Sequence, residues 1–195
     1  MDTWKKKVKV NKKNIEKKKV KLYYKQLWKN KSFRNLVTKD DVFVRASHNN
    51  KSIIKRKNVK IKNWQDLENQ IERHAVEVHV PTKKTGMRYI DVDIKGKDVK
   101  NKKRIGKSII NKLRKQKVNV SMVTDSPSGV HIFSKSPKSK VVTAVKKIES
   151  EDKKVRVSKS PKGRKTVALD VNEPNTAIPG SLSIKGKPYK KWDDF

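Results

Sequence analysis

The sequence predicts an α+β fold in which a mixed or antiparallel sheet packs against helices. Three features predict it: short apolar runs that alternate at period two, longer runs with apolar residues at helical spacing, and turn-forming residues between them. The chain has 195 residues, enough for one compact domain or for a core unit with a small appendage. Hydrophobic residues make up 33% and charged residues 37%. So low an apolar content supports a core only because it is clustered after about residue 40.

The first 35 residues read as a basic arm, with Lys5-Lys6-Lys7, Lys12-Lys13 and Lys17-Lys18-Lys19. A pure charge run stays disordered. Trp4, Tyr23, Tyr24, Trp28 and Phe33 interrupt this one. They allow two readings: an arm whose rings stack on bases, or a first helix anchored on the core by Tyr23, Tyr24 and Trp28. Residues 36–195 read as a single domain. Val42-Phe43-Val44 and Ile53-Ile54 are short strands. Asn63 is an N-cap, with Asp66 three residues on, for a helix through Arg73 whose apolar face carries Leu67 and Ile71. Val76, Val78 and Val80 alternate with Glu77 and His79, which predicts a half-buried strand, and Pro81 with the Lys-Lys-Thr-Gly stretch predicts a hairpin-like turn.

Met87–Ile94 is the next strand, with Ile90, Val92 and Ile94 on one face and Tyr89, Asp91 and Asp93 on the other. A basic helix follows through Ile105, Ile109, Ile110 and Leu113. Val118–Val123 and Val130–Phe133 are strands joined by the Asp125-Ser126-Pro127-Ser128-Gly129 turn. Val141, Val142, Val145 and Ile148 mark another helix. Val155–Val157 and Thr166–Val171 are strands, and Ile178–Ile184 is a last extended segment.

Charge narrows the function. Lys and Arg number 53 against 19 Asp and Glu, a net +34. Self-repulsion on that scale is relieved by a polyanion, and nucleic acid gains further from counterion release. Lysine-rich codon usage is the other source of such a charge. The absence of cysteine excludes disulfides, zinc ribbons and thiol catalysis. The N-terminus has no apolar stretch of the signal-peptide kind, and no apolar run is long enough for a bilayer, so the expectation is an intracellular protein.

Asp91 and Asp93 put two carboxylates on one face of one strand, roughly 6–7 Å apart at their α-carbons. A divalent cation with a preference for oxygen ligands, Mn²⁺ or Mg²⁺, relieves such a pair. Asp-x-Asp by itself is common on exposed strands. Asp170 adds to it, because it sits in the apolar run Val167-Ala168-Leu169-Asp170-Val171, where a carboxylate needs a partner. Should the two strands be neighbours, three carboxylates converge on a site that can hold two metals about 3.5–4 Å apart. The alternative for Asp170 is an ion pair with a lysine. Between the acidic motifs lies Ser126-Pro127-Ser128-Gly129-Val130-His131, a turn whose backbone N–H groups suit phosphates, with His131 directed to the same cleft.

In this order, Tyr89-Ile90-Asp91-Val92-Asp93, Gly129-Val130-His131 and Leu169-Asp170 resemble the archaeo-eukaryotic primase (primase-polymerase) superfamily, and most of all the polymerase domain of end-joining DNA ligases. Glu77-Val78-His79-Val80-Pro81, Ser158-Lys159 with Lys162-Gly163-Arg164-Lys165, Pro179-Gly180-Ser181-Leu182 with Lys185, and Tyr189-Lys190-Lys191-Trp192-Asp193, with its closing Trp-Asp, resemble further segments of that domain. The resemblance covers residues 63–195. It implies a catalytic core with an RRM-like sheet and flanking helices. It implies a template-dependent nucleotidyltransferase, a primase, polymerase or end-joining repair enzyme, with DNA template-primer and nucleoside triphosphates as ligands. A ligase, helicase or end-binding protein is the implied partner. Asp91, Asp93 and Asp170 would ligate Mn²⁺ or Mg²⁺. Ser128, Gly129, His131, Lys159, Ser181 and Lys185 would bind the nucleotide, and His79 would lie beside the metal site. Ala177 and Ser183 stand where that branch carries basic residues. A non-catalytic basic DNA- or RNA-binding module is the alternative function, and a ribosomal or chromatin-like basic protein a third.

Overall fold

The computed structural model describes residues 17–39, 43–45, 60–74, 77–81, 88–171, 175–183 and 187–195. Among the described residues five α-helices, α1 (Lys17–Trp28), α2 (Lys31–Lys39), α3 (Trp64–His74), α4 (Lys102–Lys115) and α5 (Lys138–Glu151), and one 3-10 helix, Gly96–Asn101, accompany eight strands. The strands are β1 (Phe43–Arg45), β2 (Glu77–Pro81), β3 (Arg88–Ile94), β4 (Val120–Asp125), β5 (Gly129–Ser134), β6 (Val155–Val157), β7 (Val167–Asp170) and β8 (Asn175–Ala177). Among the described residues no helix is long and apolar enough to cross a membrane.

The strands form two sheets. One has five strands in the order β4-β5-β3-β7-β6, and the other three in the order β1-β2-β8. In the larger sheet only the β6–β7 edge is parallel, so it is mixed and mostly antiparallel, as the alternation predicts. Its central strand β3 buries Ile90, Val92 and Ile94. These pack with Ile109, Ile110 and Leu113 of α4 and with Val141, Val145 and Ile148 of α5. The helices therefore cover one face of the sheet, and period-two alternation sends Tyr89, Asp91 and Asp93 to the other.

A second core lies under α1, α2 and α3. Val20, Tyr24, Phe33, Val37, Ile61, Leu67 and Ile71 meet Val78, Ile178 and Leu182 there. Tyr24 is fully buried and its hydroxyl accepts the Leu182 N–H at 3.0 Å, while the Tyr23 hydroxyl donates to the Gly180 carbonyl at 2.6 Å. The aromatics from Tyr23 onward thus anchor a helix, the second of the two readings of that stretch. Trp4 and the first lysine clusters lie outside the described residues, as do Ile53-Ile54. At the start of α3 the Asn63 side chain accepts the Asp66 N–H at 3.0 Å, the N-cap that the sequence predicts, and Asp66 reaches back to accept the N–H of Lys62, one residue before the cap, at 2.8 Å.

Two local expectations give way. β2 and β3, which flank the hairpin-like turn expected after Pro81, do not pair with each other: β2 pairs with β1 and β8, and β3 with β5 and β7, while the turn residues themselves lie outside the described residues. The chain therefore passes from one sheet to the other between Pro81 and Arg88. The last extended segment is displaced as well. The strand is β8, before Ile178, and Pro179-Gly180 makes a turn with Gly180 at φ +88°. A left-handed residue cannot continue a strand.

Replacing Tyr24 by Phe keeps the ring and strips the Leu182 N–H of its acceptor. Urea unfolding should show a loss of about 1–3 kcal/mol, the cost of one unsatisfied buried donor. A loss within error would mean that the hydroxyl does not tie α1 to the 180–182 turn.

Candidate active site

Strand register brings the acidic residues together. Asp91 lies directly opposite Asp170 on β7 and directly opposite His131 on β5. Asp93, two residues along, faces Ala168 and Gly129. Directly opposed residues share a face in an antiparallel pair. Asp91, Asp93, Asp170 and His131 therefore occupy the sheet face away from α4 and α5. Thr124 of β4 extends the row beyond His131.

The side chains divide between neighbours. His131 Nε2 lies 3.6 Å from Asp91 Oδ1. The Ser128 hydroxyl donates to Asp93 Oδ1 at 3.1 Å. Asp170 is 7% exposed, and the Asp91 side chain 26%. Burial holds the Asp93 carboxyl above the ordinary aspartate range; the Ser128 hydrogen bond works against this and the charge of Asp170 adds to it. Among the described residues no three His, Asp or Glu side chains are drawn together as a ready metal cage. Like-charged carboxylates turn toward the nearest donors, and Asp91 and Asp93 do so here. The donor set nevertheless fits a hard divalent cation: three carboxylates on two adjacent strands, on one face.

Gly129 is required by packing. A Cβ there would lie 1.7 Å from the Val92 carbonyl oxygen, so any other residue would push β5 from β3 at the level of Asp93. The turn before it is closed by Ser126 N–H donating to the Gly129 carbonyl at 3.0 Å and by Ile94 N–H donating to the Ser128 carbonyl at 3.0 Å. Ser128 and Gly129 are thus fixed against the strand that carries the aspartates.

His131 is held by two rings that the motifs do not announce. Tyr89 meets it edge-on at 4.9 Å and Tyr189 stacks on it at 5.0 Å. Tyr89 was legible as the residue two before Asp91, on the same face. Tyr189 opens the stretch that ends in Trp192-Asp193, but nothing in the sequence ties it to His131, because it comes from a strap near the C-terminus. Its N–H donates to the Ser181 carbonyl and its carbonyl accepts the Gly180 N–H, both at 2.9 Å. Further along, the Asp125 N–H donates to Lys190 and the Trp192 N–H to Val123. The strap thereby joins the 180–181 turn to the edge of β4.

The remaining predicted residues are placed less directly. Ser181 is fully buried and reaches the site through Tyr189. Lys159 is exposed on the loop after β6, which leaves the sheet level with Leu169 of β7. His79 lies on β2 in the smaller sheet, paired with Phe43 and Ala177, and its side chain is outside the described residues, as is Lys185. Ser183, where a basic residue stands in the resembling branch, is fully buried, and its N–H donates to the Lys187 carbonyl at 2.7 Å. An arginine there would bury its charge.

The described residues superpose on a known architecture. The chain is similar in fold to the polymerase domain of Mycobacterium tuberculosis Ligase D, a structure solved in complex with DNA. The TM-score is 0.62 over 90% of this chain and 80% of that one, at 12% sequence identity. The likeness is one of fold. No protein-family model and no curated protein matches the sequence.

The Asp93 environment predicts a pH dependence. A carboxyl whose folded pKa lies above its unfolded value favours folding while protonated, so that contribution is present below the ordinary aspartate value and is lost as pH rises through the raised one. Asp93→Asn should therefore raise the melting temperature at neutral pH in metal-free buffer, with the gain shrinking to nothing as pH falls below the ordinary aspartate value. A gain independent of pH would contradict the burial of this carboxyl.

Proposed function

We propose that the chain is a template-dependent nucleotidyltransferase of the primase-polymerase type. The single observation that carries the reading is the row Asp170–Asp91–His131 across three adjacent strands, with Asp93 one step along the same face. The fold likeness to a ligase polymerase domain supports it, and so does the net charge of +34, which suits DNA template-primer as the polymeric ligand.

Asp91, Asp93 and Asp170 are the residues that would hold Mn²⁺ or Mg²⁺. Such cations supply charge neutralisation at the transferring phosphate and a lowered pKa for the attacking hydroxyl. The rest falls to the chain. A primer 3′-hydroxyl gives up its proton to solvent as its oxygen bonds to the α-phosphorus of an incoming NTP or dNTP, and the bond to the departing pyrophosphate breaks in line. His131, its ring fixed between Tyr89 and Tyr189, donates a proton or a hydrogen bond to the polyphosphate. Backbone N–H groups of the Ser128-Gly129 turn and the ammonium of Lys159 add positive potential there. In this reading Lys185 would add positive charge to the nucleotide pocket, Ser181 would act on it through Tyr189, and His79 would stand near the metals. Positioning and electrostatics supply the rate, with no covalent intermediate on the protein.

One observation favours a second reading, a non-catalytic nucleic-acid-binding module: Asp91 and Asp93 already lean on His131 and Ser128. Primer extension with Mn²⁺, a templated primer and both sugar types separates the two. Wild type should extend, and Asp91→Ala with Asp93→Ala should lose at least about a hundredfold in rate, on the scale of removing a group that stabilises transition-state charge. Equal extension by the double variant would remove the carboxylates from the chemistry. No extension by either protein on gapped, overhanging or unprimed templates would favour the binding module.

A further inference from the structure

The reverse face of the larger sheet carries a second feature, independent of the carboxylates. α4 has Lys or Arg at half of its 14 positions and no acidic residue. Its buried side, Gly106, Ile109, Ile110 and Leu113, packs against Val92, Val130 and Ile132, the alternates of Asp91, Asp93 and His131. Lys102, at the start of α4, donates to the Ser126 carbonyl at 2.9 Å and pairs with Asp125; Lys103, Lys107 and Arg114 lie on the side of the helix away from the sheet and its carboxylates.

That cationic face is in contact with the segment Trp192–Phe195. Lys107 donates to Asp194 Oδ2 at 2.9 Å, and Lys103 Nζ lies 3.8 Å from Oδ1. On either side a ring meets a cation: Lys103 lies 6.0 Å from the Trp192 ring centroid, and the Arg114 guanidinium 5.4 Å from that of Phe195. Trp192 is the anchor of the segment. It is 6% exposed, it packs in the core, and its indole N–H donates to Asp125 at 2.9 Å. Asp194 is different, with a side chain 73% exposed. An ion pair so exposed contributes little to folding; Phe195 is half-buried against the core, so a ligand that displaces the segment beyond Trp192 gives up that contact while Trp192 keeps its own.

An anion across two ammonium groups, flanked by rings lying on cations, is the arrangement that a single nucleic-acid strand presents to a basic surface: phosphate to lysine, base face to guanidinium. From Lys103 to Arg114 the helix runs about 16 Å, room for several nucleotides. A duplex keeps its base faces stacked inside and offers Arg114 none. We propose that the outer face of α4 is a binding site for single-stranded nucleic acid, separate from the carboxylate site, and that Asp194 and Phe195 occupy it in competition.

The test is fluorescence anisotropy with a labelled single-stranded oligonucleotide in EDTA, so that divalent metal at the carboxylates plays no part. Asp193→Asn with Asp194→Asn should tighten binding about two- to fivefold, the scale of one exposed ion pair. Glu68→Gln with Glu72→Gln on α3 adds the same charge and should tighten it less; equal tightening would reduce the effect to net charge and overturn the competition. Lys103→Gln, Lys107→Gln and Arg114→Gln together should lower the slope of log K against log salt by about 2, three contacts at roughly 0.7 each for a single strand. The same three changes at Lys18, Lys19 and Lys25 on α1 should lower it less; an equal loss from both triples would overturn the site. Unlabelled duplex should compete more weakly than single strand, and equal competition would overturn the choice of ligand. Melting curves of the glutamine and asparagine variants verify that each is folded.

Discussion

Asp91 and Asp170 face each other across β3 and β7, and two like charges in that position repel. Much of the surrounding architecture keeps them there. β3 is the centre of the larger sheet, so its register is set from both sides, by β5 and by β7. A slip of one residue would turn Ile90, Val92 and Ile94 out of the core, and that cost of lost burial fixes the aspartates on the opposite face. Gly129 lets β5 approach the Val92 carbonyl closely enough for the Ser128 hydroxyl to reach Asp93. The protein tolerates a concentration of negative charge inside a chain of net charge +34, and burial, with a smaller push from the charge of Asp170, holds the Asp93 carboxyl above the ordinary aspartate range.

The second core serves the same site at one remove. Tyr23 and Tyr24 of α1 hold the Gly180–Leu182 turn, the turn pairs with Tyr189, and Tyr189 stacks on His131. This chain of contacts links the orientation of the imidazole to helices that carry none of the acidic motifs. It also gives the buried Ser183 a structural role in the strap, where the resembling polymerase branch has a basic residue.

What the sequence made legible was local. The Asn63–Asp66 cap, the helical stripe of α4 and the alternation of β3 are each written within a few residues, and the structure has all three. The face shared by Tyr89, Asp91 and Asp93 followed from period two alone. Pairing of β7 with β3 was a condition that the spacing could state and not decide, because strand neighbours are chosen by the packing of the whole sheet. The same limit explains the hairpin expected after Pro81, where a good turn signal joins strands of different sheets. It explains Tyr189 as well, which stands in the Tyr189–Asp193 stretch, 58 positions after His131, with no signal that the two rings meet. The displaced final strand is a local failure: Ile178, Leu182 and Ile184 read as extended, but Gly180 adopts a left-handed conformation between them.

The central claim is that the paired aspartates form a divalent-cation site. Mn²⁺ titration followed by electron paramagnetic resonance tests it most directly, since bound and free Mn²⁺ differ in signal and no nucleotide, template or turnover is needed. Wild type should bind Mn²⁺ with a stoichiometry that falls in Asp170→Asn, the variant that keeps the shape of β7 and removes the charge opposite Asp91. Binding of equal stoichiometry and affinity in the two proteins, or none in wild type, would contradict the account.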